Sequence, residues 1–124
     1  MKSTQIIGLG ATLAGLAVIL GAFGAHALES TLEANGRLDT YETASQYLMY
    51  HSLALIGLGI LRHQFPQKKL AIIPWLWLGG ILFFCGSLFV LAITGVTLLG
   101  AVAPIGGMGF ILGWLGLAIR YFKD

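Results

Sequence analysis

His51 is the residue in this chain best placed to do chemistry. Tyr47 precedes it by one helical turn, so a helix would carry both side chains on one face. An imidazole beside a phenol can relay a proton, hold a metal ion or bond a neighbouring helix. Both belong to the stretch from Asp39 to Ser52, DTYETASQYLMYHS, where carboxylates, hydroxyls, an amide and a histidine run straight into apolar sequence. His51 stands 11 residues before Arg62 and 14 before Phe65. With a membrane surface at either, the imidazole sits roughly 16–21 Å up the helix, inside the bilayer. An ionisable group at that depth is a functional hypothesis by default. Its plain alternative is a neutral imidazole that ties two helices together.

His26 is the second candidate. Counted along its helix it falls roughly 30 Å from the opposite end, nearer the level of Tyr47 or Thr43 than of His51. A shared His26–His51 metal site is therefore disfavoured, and Met49 points to another face. The carboxylates Glu29, Glu33, Asp39 and Glu42 read as a solvated loop and a helix cap. Asp39 with Glu42 three residues on has the form of a capping box, which would start the helix near Thr40. Cys85 reads as a small packing residue. No glycine-rich phosphate loop, zinc spacing or nucleophile elbow occurs. The reading thus assigns no catalytic residue, no cofactor and no metal; the polar intramembrane site, if there is one, is His26, Tyr47 and His51.

The elements that must position these residues are membrane spans. Of 124 residues, 57% are hydrophobic and only 10% charged, against about 25% charged in a soluble protein. Such a chain cannot coat itself for water, so its main partner is the lipid bilayer. It carries one cysteine, hence no internal disulfide, and no basic cluster that would suit nucleic acid. The run from Ile6 to Ala25 exceeds the roughly 7–15 residues of a secretory leader, so Ala25-His26-Ala27 is expected to lie in a retained span rather than at a cleavage site. Residues 70–119 contain no Asp, Glu, Lys, Arg or His. At about 20 residues per span, that is two spans and a turn, the turn falling between Thr94 and Gly100. The result is an all-α, integral membrane four-helix bundle in one domain, with spans at about 5–28, 44–64, 72–93 and 101–120 and an external polar loop at 29–40.

Two stripes of small residues provide close helix contact: Gly10, Ala14, Ala17 and Gly21 in the first span, and Gly106, Gly109, Gly113 and Gly116 in the fourth. So many glycines after Pro104 mean either a broken helix lining a cavity or a tight crossing. Six of the seven basic residues fall on one side of a four-span path, with Arg37 alone opposite. Cytoplasmic loops retain Lys and Arg, which places both termini in the cytoplasm. Trp75, Trp77 and Tyr121 are then expected near the cytoplasmic interface, and Tyr41, Tyr47 and Tyr50 near the outer one.

Gly21-Ala22-Phe23-Gly24-Ala25-His26 resembles the first signature of domain of unknown function family 423, small multi-pass membrane proteins of bacteria with an animal relative, transmembrane protein 256. Tyr41-Glu42-Thr43-Ala44 through Tyr47, and His51-Ser52-Leu53-Ala54, are similar to the second. Gly86-Ser87-Leu88-Phe89, Pro104-Ile105-Gly106-Gly107 and Gly113-Trp114 are similar to the third. Cys85 and Ala103 depart from the pattern, which often has serine and threonine there. The resemblance implies a four-helix protein of the bacterial plasma, or inner, membrane. It implies no biochemical activity and no catalytic residues.

Three functions follow as expectations. The first is a non-catalytic protein that packs through its small-residue faces, with a second copy or a membrane-protein partner, and serves membrane integrity or assembly. The second is a small transporter or channel subunit using the Tyr47 and His51 face. The third, an enzyme or redox carrier ligated by His26 and His51, is disfavoured because no nucleophile–base pair accompanies them.

Overall fold

A computed structural model describes residues 1–123, apart from the side chain of Ala25, so Ala25 in the small-x-small pattern lies outside the described residues. The described residues form helices and turns and no strand. Among the described residues, four helical stretches are long and apolar enough to cross a membrane: Ser3–Gly24, Leu38–Gln64, Ile73–Thr94 and Thr97–Phe122. The first continues as α1 (Ser3–His26), and a short α2 (Glu29–Ala34) leads to α3 (Leu38–Gln64). The third is composite: α4 (Ile73–Gly80), a π-helical turn (Ile81–Cys85) and α5 (Gly86–Thr94). A 3₁₀ turn (Thr97–Ala101) then enters α6 (Ala103–Phe122).

The connections follow from local chemistry. Gly36 and Gly95 hold the chain at φ of 63° and 74°, a region that side chains with a Cβ rarely adopt. Pro66 stops α3, because proline disfavours helical backbone in the residue before it. Pro74 and Pro104 stand in the first turns of α4 and α6, where a missing N–H does least harm. The helix before His51 begins earlier than the capping-box reading placed it. Arg37 occupies the N-cap of α3 without a side-chain cap bond, and Asp39 lies inside the first turn. The tight turn at Gly36 delivers helical backbone two residues sooner, and the Asp39 carboxylate there complements the positive helix end.

α1 lies along α3, and α6 lies along α4 and the π turn; α3 also packs against the third span. The small-residue stripes are where these helices meet. A Cβ on Gly10 would stand 2.7 Å from the Ser52 carbonyl oxygen and 2.8 Å from the Ile56 side chain. Gly59 meets Ile7 and the Ser3 carbonyl in the same way, and Ala17 is buried. On the other side, Gly106 lies against the Phe83–Phe84 backbone, Gly109 against the Leu76 carbonyl at 2.8 Å, and Gly113 against the Trp77 indole. Gly116 makes only an ordinary contact, 3.8 Å to Ile73. Of the two alternatives for the glycine-rich start of α6, the tight crossing is the one present: α6 is unbroken from Ala103.

The irregular backbone lies opposite, in the third span. Gly86 N–H bonds the Ile81 carbonyl five residues back, the mark of a π turn. The Ser87 hydroxyl donates to the Phe83 and Phe84 carbonyls at 2.5 and 3.1 Å, satisfying acceptors that the widened turn leaves exposed. Cys85 is buried in that turn, without a disulfide. Trp77 is fully buried, because the absence of a side chain at Gly113 admits its ring between the helices.

Each end of the bundle is fastened. Asn35 donates its amide to the Ala92 and Ile93 carbonyls, both at 3.0 Å, capping α5 from the α2 loop. Leu32, Tyr41 and Ala92 make a small core beneath it. At the opposite end Arg120 donates to the Lys69 carbonyl at 2.8 Å, and Lys68 donates to the Arg120 carbonyl at 2.7 Å. The Lys68 ammonium also lies 4.5 Å from the Tyr121 ring centre.

Candidate functional site

The centre of α3 brings His51 to the middle of an aromatic cluster drawn from three spans. The residue is only 3% exposed. Its ring stacks on Phe110 of α6, with centroids 3.6 Å apart and planes 13° from parallel. Trp77 of α4 and Trp114 of α6 approach it edge-on, at 6.1 and 5.9 Å. The glycines explain how so many rings fit. Gly80 and Gly106 leave room for Phe110 and for the π turn, and Gly113 leaves room for Trp77.

Both imidazole nitrogens are bonded. Trp114 Nε1 lies 3.0 Å from His51 Nε2, and an indole N–H can only donate. Nε2 must therefore be the bare nitrogen, and the ring proton resides on Nδ1. Nδ1 lies 2.8 Å from the Tyr47 carbonyl and donates to it. This pattern is complete for the neutral ring in one tautomer. A second proton, on Nε2, would face the Trp114 donor and break the bond. The imidazole thus links α3 to α6 with both ring nitrogens bonded.

Tyr47 shares the face but faces outward more, at 38% exposed. Its ring packs on Phe84 of the π turn at 5.0 Å and lies 6.1 Å from the His51 ring. His26 is not brought to this cluster. It is exposed at the end of α1, beside Ala22, Phe23 and Ala27. Among the described residues, no three His, Cys, Asp or Glu side chains converge as a metal-ligating group.

Trp114 is the functional partner that sequence reasoning missed. An indole in mid-span needs an acceptor for its N–H, and that requirement was the available signal. Trp77 Nε1 is buried without a partner among the described residues, facing the Gly113 backbone. The deep rings thus include one satisfied indole and one unsatisfied.

Relatives match this chain along most of its length. A UPF0382 membrane protein of Staphylococcus saprophyticus is 47% identical over 115 residues, 93% of this chain and 94% of the relative. The UPF0382 membrane protein YwdK of Bacillus subtilis is 40% identical over 116 residues, again 93% of this chain and 94% of its own. One of Staphylococcus haemolyticus is 44% identical over 115 residues, 93% of each chain. No solved structure matches. The family model described as protein of unknown function (DUF423) matches residues 20–107, which contain His26, Tyr47, His51 and the Gly106 crossing. With four membrane-length helices and these relatives, the chain is a multi-pass membrane protein that belongs to the DUF423 family.

Proposed function

We propose that this is a non-catalytic protein of the bacterial plasma membrane that serves membrane integrity or assembly. The observation that carries this reading is the His51 link. The most deeply placed ionisable group of the candidate site has both nitrogens committed inside the chain and its face covered by Phe110. A conducting path or a catalytic base needs a nitrogen free to exchange protons.

Orientation belongs to the same proposal. Gly59 against Ser3 brings the start of α1 to the end of α3, and the Arg120–Lys69 bond adds the end of α6. Lys2, Arg62, Lys68, Lys69, Arg120 and Lys123 therefore gather at one end of the bundle. Positive-inside retention makes that end, with both termini, cytoplasmic. Both small-residue stripes serve contacts within the chain. A second copy or another membrane protein would meet the outward faces instead.

The test is a deletion strain complemented with variants. Loss of the chain is expected to raise entry of a membrane-impermeant dye. The double variant His51→Phe with Trp114→Phe removes donor and acceptor together, which leaves no orphaned group. It is expected to fold and to restore the barrier. A folded double variant that fails to restore it would return the role to the imidazole and favour conduction along the Tyr47–His51 face.

A further inference from the structure

Two turns before His51, α3 and α1 part to form a cleft of about 180 Å³. Gly21 and Gly24 of α1 line one side; Leu38, Tyr41, Glu42, Ser45 and Gln46 of α3 line the other. Its floor is buried at Gly24 and Tyr41, and its rim is exposed at Glu42 and Gln46. The floor is rigid. Tyr41 presses its ring into the space left by Gly24, donates to the Leu20 carbonyl at 2.6 Å and meets Phe89 edge-on at 5.0 Å.

The polar groups of this cleft differ from those deeper in the spans. Thr12, Ser52, Ser87 and Thr94 each donate to the carbonyl four residues back. The Ser45 side chain makes no hydrogen bond with any described residue, and neither do the side chains of Glu42 and Gln46. One carboxylate, one hydroxyl and one amide oxygen thus face a single cleft unpartnered. Depth adds a second constraint. Glu42 stands 20 residues before Arg62, about 30 Å along the helix, and that is the thickness of the hydrocarbon core. Ser45 and Gln46 lie one turn inside this boundary.

We propose that the cleft binds the primary-ammonium headgroup of a membrane lipid. A primary ammonium carries one positive charge and three N–H donors. Glu42 supplies the charge, and Glu42, Ser45 and Gln46 supply three acceptors. A quaternary ammonium has no N–H and is held by aromatic cages, and an anionic headgroup would meet the Glu42 carboxylate. At about 30 Å³ per water, the volume holds some six waters, enough for an ammonium on its two-carbon arm. Glu42, which alone reads as part of a helix cap, becomes the anchor of the site. The assignment stands apart from the role given to His51.

Native mass spectrometry of the full chain in detergent tests it, with phosphatidylethanolamine, phosphatidylcholine and phosphatidylglycerol of identical acyl chains. Phosphatidylethanolamine is expected to be retained about tenfold more than the others, the worth of a charge-assisted hydrogen bond. Glu42→Gln is expected to abolish that preference, and Ser45→Ala to weaken it. Both are expected to keep the wild-type unfolding temperature in lipid-free detergent, since neither side chain has a hydrogen-bond partner among the described residues. Free ethanolamine at the same concentration is expected to compete weakly, because it lacks the acyl anchor. Equal retention of the three lipids, or an undiminished preference in folded Glu42→Gln, would overturn the proposal. So would displacement of the lipid by equimolar ethanolamine, which would make the site one for soluble amines.

Discussion

Around His51, the helices on α3 are closed. Gly10 abuts the Ser52 carbonyl, the Ser52 hydroxyl bonds the Leu48 carbonyl at 2.5 Å, and the imidazole is bonded at both nitrogens. Two turns nearer the start of the same helix, around Ser45, they are open. A Cβ on Gly21 would stand 3.3 Å from the Ser45 hydroxyl, a close contact but with a side chain that can turn rather than with backbone, and the side chains of Glu42, Ser45 and Gln46 have no hydrogen-bond partner among the described residues. Both regions are polar sequence on one membrane helix. In the closed region the polar groups complete each other, so they hold the bundle together. In the open region they face a cleft, so whatever they bind comes from outside the chain. Polarity within a span therefore marks a site only where the chain itself leaves it unsatisfied.

The comparison is broken most severely by emptying the closed region. His51→Ala removes the ring stacked on Phe110 and leaves the Trp114 N–H without its acceptor in a dry interior. We expect a loss of about 3 kcal/mol, combining lost packing with an unsatisfied donor. Reversible unfolding in bicelles would read it. Adding Trp114→Phe should recover part of the loss, because the orphaned donor goes with the indole. Recovery of nothing would mean that the Trp114–His51 bond contributes little.

A smaller effect separates the two halves of the α1–α3 contact. Gly10→Ala sets a methyl 2.7 Å from a backbone oxygen, and backbone yields less readily than a side chain. A loss of about 1–2 kcal/mol is expected in the same assay. Gly21→Ala meets only the Ser45 hydroxyl at 3.3 Å, which can turn away, so its loss should be smaller. If the two are equal, the helices part no more at Ser45 than at Ser52.

Much of this was legible beforehand. Hydropathy and length are enough for four helical spans, because lipid tolerates little else, and the signatures around His26, Tyr47 and His51 point to the family. The depth of His51 followed from counting residues to Arg62. What it touches did not, since one helix's pattern says nothing about the rotation of the next; Trp114 was therefore missed. The π turn was invisible because Ile81-Leu82-Phe83-Phe84-Cys85 contains neither proline nor glycine. The turn lies against α6 at Gly106, whose missing side chain admits the Phe83–Phe84 backbone. That Trp77 is buried between helices depends on Gly113 of α6, which its own helix does not record. The Asn35 amide caps a helix 57 residues away, a contact that its neighbours in sequence do not announce. The cleft depends on how far α1 and α3 splay, which no local pattern records.

The smallest expected effect is the sharpest test of the contrast, because it compares one substitution at two places on one helix. Ser52→Ala removes a fully buried hydroxyl that bonds the Leu48 carbonyl, and a loss of about 0.5–1 kcal/mol is expected. Ser45→Ala removes a hydroxyl with no hydrogen-bond partner among the described residues, so in bicelles free of phosphatidylethanolamine it should stay within about 0.5 kcal/mol of wild type. Adding that lipid should separate the pair again, in the opposite sense. Wild type and Ser52→Ala should gain stability with lipid concentration, as any protein does with a ligand that prefers the folded state. Ser45→Ala should gain less. If Ser45→Ala is as damaging as Ser52→Ala without lipid, Ser45 has a structural partner after all. The two halves of α3 would then be alike, and the cleft no more than an imperfect joint between helices.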